Sequence, residues 1–144
     1  MEASTRVLIV DDEIDLAETL AIQLRLRGFQ VDTAHNGADA LKLARACDYD
    51  AIVSDVLMPR MDGQQLYEHL TMERPRLASR LIFMTAYSTL MASVAQRFPR
   101  SREADLSKPF SEAKLLASLA KIIPSDNWPK PPKPNAKLSH QDKS

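Results

Sequence analysis

The chain is predicted to fold as a doubly wound α/β domain, in which helices cover both faces of a parallel β-sheet. Four short apolar runs indicate buried strands, at 7–10, 51–54, 81–84 and 104–107. Strands of a parallel sheet are covered on both faces, so they show continuous apolar runs rather than alternation. Helical patterns alternate with the strands along the chain, as in repeated strand–helix units. A length of 144 residues allows one domain with a substantial core.

The first strand leads into a helix predicted over 13–27, where leucines recur every four residues on one face. Acidic residues in its first turn suit a helix N-terminus, and Gly28 suits its exit. A second strand is expected at 30–34. Asn36 then suits the N-cap of a second helix, which is predicted to run to about Cys47.

The same pattern continues through the middle of the chain. The third strand is predicted to end at Asp55, and Pro59 makes 56–61 a loop because proline blocks an immediate helix. A third helix is expected over 62–73. Pro75 ends it, since the residue before a proline disfavours helical backbone.

The fourth strand is predicted to end at Thr85, and a helix is expected over 88–97. A short fifth strand reaches Ser107. Ser111 suits the N-cap of the last helix. An apolar stripe marks the buried face of that helix: Leu115, Leu116, Leu119, Ile122 and Ile123.

The domain is expected to comprise 1–123 and to end at Pro124. The remaining segment, 124–144, contains four further prolines, four lysines and little apolar content. This composition predicts a disordered or polyproline-like tail or linker. Trp128 is the large apolar residue of that tail. Two alternatives stay open for it: it folds back on the domain, or it anchors a partner.

Polar side chains follow four of the predicted strands. Asp11 and Asp12 come after the first strand, Asp55 ends the third, Thr85 ends the fourth and Lys108 follows the fifth. The carboxyl ends of parallel strands share one edge of the sheet, where ligands bind in open α/β folds, so these side chains are expected to converge. Three carboxylates suit Mg²⁺, which prefers oxygen ligands and retains several waters.

A site of this composition can handle a phosphoryl group. A carboxylate presented beside a metal, as Asp55 would be, can attack phosphorus and form an acyl phosphate. The Lys108 ammonium and the Thr85 hydroxyl would bind the other phosphoryl oxygens. Each residue alone also has an ordinary structural explanation, such as a helix cap or a strand end. Their joint placement is what predicts the chemistry.

Composition narrows the possible partners and location. The formal net charge is zero, which predicts no bulk attraction to nucleic acid or to membranes. No apolar stretch approaches the length of a membrane span, and the N-terminus lacks the pattern of a secretory signal. The single cysteine, Cys47, excludes an internal disulfide and fits a reducing compartment. A cytoplasmic location is therefore predicted.

Five motifs resemble the receiver domain of two-component response regulators. They occur in the order of that family over 6–123, and their combination is far more specific than any one of them. The motifs are LIVDDE at 8–13, HNGADAL at 35–41, DYDAIVSDVLMPRMDG at 48–63, FMTAY at 83–87 and SKPF at 107–110. The resemblance implies a flavodoxin-like sheet of five parallel strands in the order 2-1-3-4-5.

The resemblance also implies roles for the acidic residues. Asp55 would accept a phosphoryl group from a histidine kinase or a phosphotransfer protein. Asp12 and Asp55 would bind Mg²⁺ directly, together with the Leu57 carbonyl, while Asp11 would act through water. Leu57 is also a candidate modulator of the reaction through its side chain.

Further roles are implied on the fourth and fifth strands. Thr85 and Lys108 would bind the phosphoryl group, and the peptide bond before Pro109 would be cis. Asp105 departs from the family, which usually has Tyr or Phe three residues before the lysine. The usual coupling of the hydroxyl to an aromatic ring is therefore not expected. Tyr87 and Asp105 are candidate modulators.

The function predicted from these residues is that of a phospho-acceptor signalling domain. It would catalyse only its own phosphorylation and dephosphorylation, and it would signal to an unknown downstream protein by direct contacts, with a homodimer left open. One alternative is a phosphatase of the haloacid dehalogenase type, which needs a second acid where this chain has Leu57. Another is an interaction module independent of phosphorylation. The chain is expected to be a stand-alone receiver or a piece cut after its receiver.

Overall fold

Residues 4–130 are described by the computed structural model. Parallel strands form a sheet in the order β2-β1-β3-β4-β5, which confirms the predicted fold and strand order. The strands are β1 (Arg6–Val10), β2 (Gln30–Ala34), β3 (Ala51–Asp55), β4 (Leu81–Thr85) and β5 (Leu106–Ser107). The helices are α1 (Ile14–Leu26), α2 (Gly37–Ala46), α3 (Gly63–Glu73), α4 (Pro75–Ala78), α5 (Ser88–Arg97) and α6 (Glu112–Ile122), followed by a 3-10 turn at Ser125–Asn127.

Apolar layers cover both faces of the sheet. The central strands β1, β3 and β4 carry consecutive buried residues, as expected of strands enclosed on two sides. Helices α1 and α6 pack on one face through residues such as Leu24 and Leu119. Helices α2, α3 and α5 cover the other face through Leu41, Leu70 and Val94. The carboxyl ends of the strands are left together at one edge, which is where the predicted site residues lie.

Capping side chains define where the helices begin and end. Asn36 and Ser111 each accept a hydrogen bond from the third amide of the helix that follows, as predicted. Asp62 starts α3 with a reciprocal pair of bonds to Gln65. Gly28 follows α1 with a φ of 100°, a left-handed conformation that favours glycine.

A close backbone contact fixes the start of α3 against the end of β3. A Cβ atom placed on Gly63 would lie 2.2 Å from the carbonyl oxygen of Asp55. The Gly63 amide donates to the Val56 carbonyl at 2.9 Å. A residue with a side chain would therefore push α3 away from the segment that carries Asp55.

Two elements differ from the sequence-based expectation. The short helix α4 follows directly after Arg74, because Pro75 at its first position is compatible with helical backbone. The fifth strand was expected over 104–107, but β5 contains only its last two residues. The side chain of Asp105 bonds to the backbone of Phe83 at the position where a longer strand would have paired.

Residues 125–130, at the start of the predicted tail, lie against the domain. Trp128 lies partly buried against the core, and its ring meets that of Phe29 edge-on with centroids 5.2 Å apart. The Thr5 hydroxyl donates to the Asn127 carbonyl. Of the two alternatives for Trp128, the structure shows packing on the domain. The rest of the predicted tail, 131–144, lies outside the described residues, and the division at Pro124 stays a prediction.

Candidate functional site

Three carboxylates meet at the carboxyl ends of β1 and β3. Asp11, Asp12 and Asp55 each place an oxygen within 4.8 Å of the oxygens of the other two. Asp11 is fully buried, Asp55 is nearly so, and Asp12 is exposed. The structure therefore brings the predicted acids together, with one open to solvent and two held inside the edge of the sheet.

Lys108 lies between two of these carboxylates. Its Nζ is 2.6 Å from Oδ2 of Asp11 and 3.1 Å from Oδ2 of Asp55, so it is hydrogen-bonded to both. The Lys108 amide also donates to the Thr85 carbonyl at 2.9 Å, and the Lys108–Pro109 bond is cis. The two hydrogen bonds of Nζ hold the ammonium at the acidic cluster.

The balance of charge favours a cation. Burial raises the pKa of the Asp55 carboxyl, and nearby Asp11 raises it further; the hydrogen bond and charge of Lys108 oppose this without cancelling it. Burial lowers the pKa of Lys108, but its bonds to Asp11 and Asp55 outweigh that and leave the pKa raised. Three carboxylates share this one ammonium, so the cluster is acidic overall. An oxygen-rich, net negative cluster of this kind fits Mg²⁺.

Thr85 and two larger side chains border the cluster. Thr85 is 3% exposed at the end of β4, and its hydroxyl oxygen accepts a hydrogen bond from the Tyr87 amide at 3.2 Å. The Leu57 amide donates to Oδ1 of Asp55 at 3.4 Å. Leu57 and Tyr87 are 55% and 59% exposed, so neither residue belongs to the core.

Two neighbours of the site were not predicted from the sequence. Glu13 places Oε1 3.4 Å from the Lys108 Nζ, whereas the sequence indicated only an acidic first turn of a helix. The Nδ1 atom of His35 lies 3.0 Å from the carbonyl oxygen of Asp11. A carbonyl only accepts, so His35 donates through Nδ1–H. Its position directly after β2, which pairs with β1, is the signal that places it beside Asp11.

Asp105 is engaged in a pairing that the sequence did not reveal. Its carboxylate receives bonds from Arg100 at 2.8 and 3.1 Å and from the Phe83 amide at 3.1 Å. The two charged side chains are only 12% and 5% exposed. Arg100 and Asp105 are five residues apart across a loop, a spacing that matches neither helix nor strand periodicity. The sequence therefore singled out Asp105 but did not indicate that Arg100 pairs with it.

Comparison with known proteins identifies the class. The family model of the response regulator receiver domain matches residues 7–120. The chain belongs to that family, as the five motifs indicated, and is a receiver domain of two-component signalling. Nothing in the comparisons favours the phosphatase or the phosphorylation-independent module. Among the described residues, no helix has the length and apolar character needed to cross a bilayer.

Individual relatives agree with this assignment. Response regulator MprA of Mycobacterium tuberculosis (strain H37Rv) is 32% identical over 120 residues, which are 83% of this chain and 51% of that protein. MprA of Mycobacterium avium (strain 104) is 32% identical over 118 residues, 82% of this chain and 50% of that protein. This chain thus spans about half the length of these curated relatives.

Solved structures show the same fold. Chemotaxis protein CheY4 of Vibrio cholerae superposes with a TM-score of 0.74 at 28% identity, over 84% of this chain and 100% of that one. Response regulator TrrA of Thermotoga maritima, solved with Mg²⁺-BeF, gives a TM-score of 0.72 at 28% identity, over 83% of this chain and 99% of that one.

Proposed function

We propose that this receiver domain accepts a phosphoryl group on Asp55 in a Mg²⁺-dependent reaction. The donor would be a phosphohistidine of a histidine kinase or phosphotransfer protein. The observation that carries the proposal is the meeting of three carboxylates with the Lys108 ammonium, which lies 2.6 and 3.1 Å from oxygens of Asp11 and Asp55. This arrangement supplies both a nucleophile and the positive charge that phosphoryl transfer needs.

The partners of each carboxylate support different roles in metal binding. Asp11 uses one oxygen for Lys108 and the other for the Glu13 amide. Asp11 is also fully buried, so it would reach an ion through water. Asp12 is exposed and open to direct coordination, and Asp55 lies beside it. We assign Asp12, Asp55 and the Leu57 carbonyl as direct ligands.

A bound divalent cation would supply positive charge that offsets the charge developing on the transferred oxygens. Residues of the chain supply the nucleophile and bind the phosphoryl oxygens. An ionised Asp55 oxygen attacks phosphorus, the new oxygen–phosphorus bond forms, and the phosphorus–nitrogen bond of the donor breaks to release its imidazole. Burial alone disfavours that ionised state, as the raised pKa of Asp55 shows. Lys108 counters the effect of burial and then binds a phosphoryl oxygen.

Thr85 would supply a second contact to the phosphoryl group. Its hydroxyl oxygen accepts from the Tyr87 amide, which leaves its O–H free to donate to a phosphoryl oxygen. The same bond ties Thr85 to the loop before α5. Contact of Thr85 with a phosphoryl group would therefore first shift that loop.

The lifetime of the phosphorylated state would depend on Leu57 and Tyr87. Leu57 and Tyr87 present large side chains that are more than half exposed beside the site. Neither offers a carboxylate or amide that could orient an attacking water. We infer that both residues slow hydrolysis of the acyl phosphate. The domain would then catalyse only its own phosphorylation and slow dephosphorylation, and it would signal by contacts with a downstream protein.

The test is labelling with a small phosphodonor. The full chain, incubated with acetyl phosphate and Mg²⁺, should gain one phosphoryl mass in intact-protein mass spectrometry. Asp55→Asn should abolish the gain. Asp48→Asn is the matched control, because the Asp48 side chain is 96% exposed and remote from the cluster. Stoichiometric labelling of the Asp55→Asn variant would refute the assignment.

A further inference from the structure

The connection between β2 and α2, residues 34–37, contacts the segment that follows β1. The Asp11 amide donates to the Ala34 carbonyl at 3.0 Å. The Asp11 carbonyl accepts from the His35 ring, whose Nδ1 lies 3.0 Å away. Both backbone polar groups of Asp11 are therefore bonded to this connection, one through the backbone and the other through a side chain.

The same connection also contacts the loop that follows β3. The Gly37 amide donates to the Met61 carbonyl at 2.7 Å, and a Cβ atom placed on Gly37 would lie 2.3 Å from that oxygen. Between these contacts, the Asn36 side chain accepts from the Asp39 amide and fixes the start of α2. Residues 34–37 therefore touch both segments that carry the proposed cation ligands, 11–12 and 55–61.

The bond from His35 bears on Asp12 through the backbone. The Asp11 carbonyl and the Asp12 amide belong to one planar peptide unit. Holding the carbonyl oxygen therefore fixes the orientation of that plane and the direction in which the chain enters Asp12. Asp12 itself is exposed, so packing around its side chain contributes little to its position. The placement of its carboxylate beside Asp55 then depends on the bond that His35 makes.

We propose that His35 is a positioning residue for the cation site, which holds the Asp11 carbonyl so that the Asp12 carboxylate is presented beside Asp55. The inference rests on the proposed function, since it concerns the same Mg²⁺ site. His35 acts through the backbone and does not bind the ion. Groups that orient metal ligands in this way raise affinity because the ligands are in place before the ion binds.

The first test uses the unaltered full chain in EDTA. Nitrogen NMR of the His35 imidazole should find a proton on Nδ1, as donation to the Asp11 carbonyl requires. A ring that carries its proton on Nε2 alone would overturn the proposal, because Nδ1 could not then donate. This measurement needs neither a bound ion nor a folded variant.

The second test compares Mg²⁺ titrations followed by amide shifts around Asp55. His35→Leu keeps a bulky side chain without the donor, and it should weaken Mg²⁺ binding about tenfold, the low end for loss of a ligand-orienting partner. His35→Asn should stay within about twofold of the parent chain, because its Nδ2 lies as many bonds from Cα as the histidine Nδ1 and can donate. His69→Leu is the matched control, since His69 is 46% exposed and contacts Glu73 on α3.

The outcomes separate this inference from the proposed function. If the parent chain binds Mg²⁺ and His35→Leu binds it equally well, positioning by His35 is wrong and the proposed function stands. Equal weakening in His35→Leu and His35→Asn would also overturn the inference, because the donor would then not be what matters. A parent chain whose amides do not respond to Mg²⁺ would refute the proposed function, and this inference with it.

Discussion

Removing the segment after α6 in two steps should separate its packed part from the remainder. Cutting after Lys130 removes only 131–144, and we expect the melting temperature to change by no more than a few degrees. Cutting after Pro124 also removes Trp128, which is partly buried against Phe29. Full burial of a Trp side chain is worth about 3–5 kcal/mol on truncation to alanine, so a partly buried ring is worth about 2 kcal/mol.

The lost contacts at Thr5 and Pro129 add roughly 1 kcal/mol. For a domain of this size each kcal/mol shifts the melting temperature by about 3–5 °C, so the shorter chain should melt roughly 9–15 °C lower. The assay is thermal unfolding followed by circular dichroism, with Trp128→Ala in the full chain as the matched single change. Equal melting temperatures for the two truncations would show that the packing at Phe29 contributes nothing and would refute the reasoning.

Three further predictions concern the site. Asp12→Ala should remove Mg²⁺-dependent amide shifts around Asp55 in a titration; an unchanged titration would exclude Asp12 as a ligand. Burial raises the pKa of the Asp55 carboxyl. The contribution of this carboxyl to folding stability is therefore complete below about pH 4 and is lost as pH rises through the raised pKa. In EDTA, Asp55→Asn should therefore melt higher than the parent chain at neutral pH, with the gap closing in acid; a lower melting temperature at neutral pH would contradict this. A phosphoryl mimic should shift amides at 84–90 and leave 103–107 little changed, since the Asp105 carboxylate accepts three hydrogen bonds from Arg100 and the Phe83 amide; large shifts at 103–107 would contradict a local switch.

The residues that converge on the site could be predicted because topology alone brings them together. Asp11, Asp55, Thr85 and Lys108 each adjoin the end of a strand, and parallel strands place those ends at one edge. The N-caps Asn36 and Ser111 could also be predicted, since capping depends on a few neighbouring residues.

Contacts that join distant or irregular segments could not be predicted in the same way. Trp128 docks on Phe29 from the other end of the chain, and composition alone favoured a tail. Arg100 and Asp105 meet across a loop whose path no periodic pattern specifies. Glu13 was read as part of a helix turn because its contact with Lys108 depends on how the segments that follow β1 and β5 approach each other at the edge of the sheet.

The docking of Trp128 determines where the remaining chain departs from the domain. Thr5 and Phe29 precede β1 and β2, so the contact lies at the amino ends of the strands, whereas Asp55 lies at their carboxyl ends. A five-residue strand spans about 16 Å. The chain beyond Lys130 is therefore joined to the domain at the pole remote from the proposed phosphoryl site. It would sense phosphorylation through movement of the body of the domain, or by looping back around it, rather than by adjoining Asp55 directly.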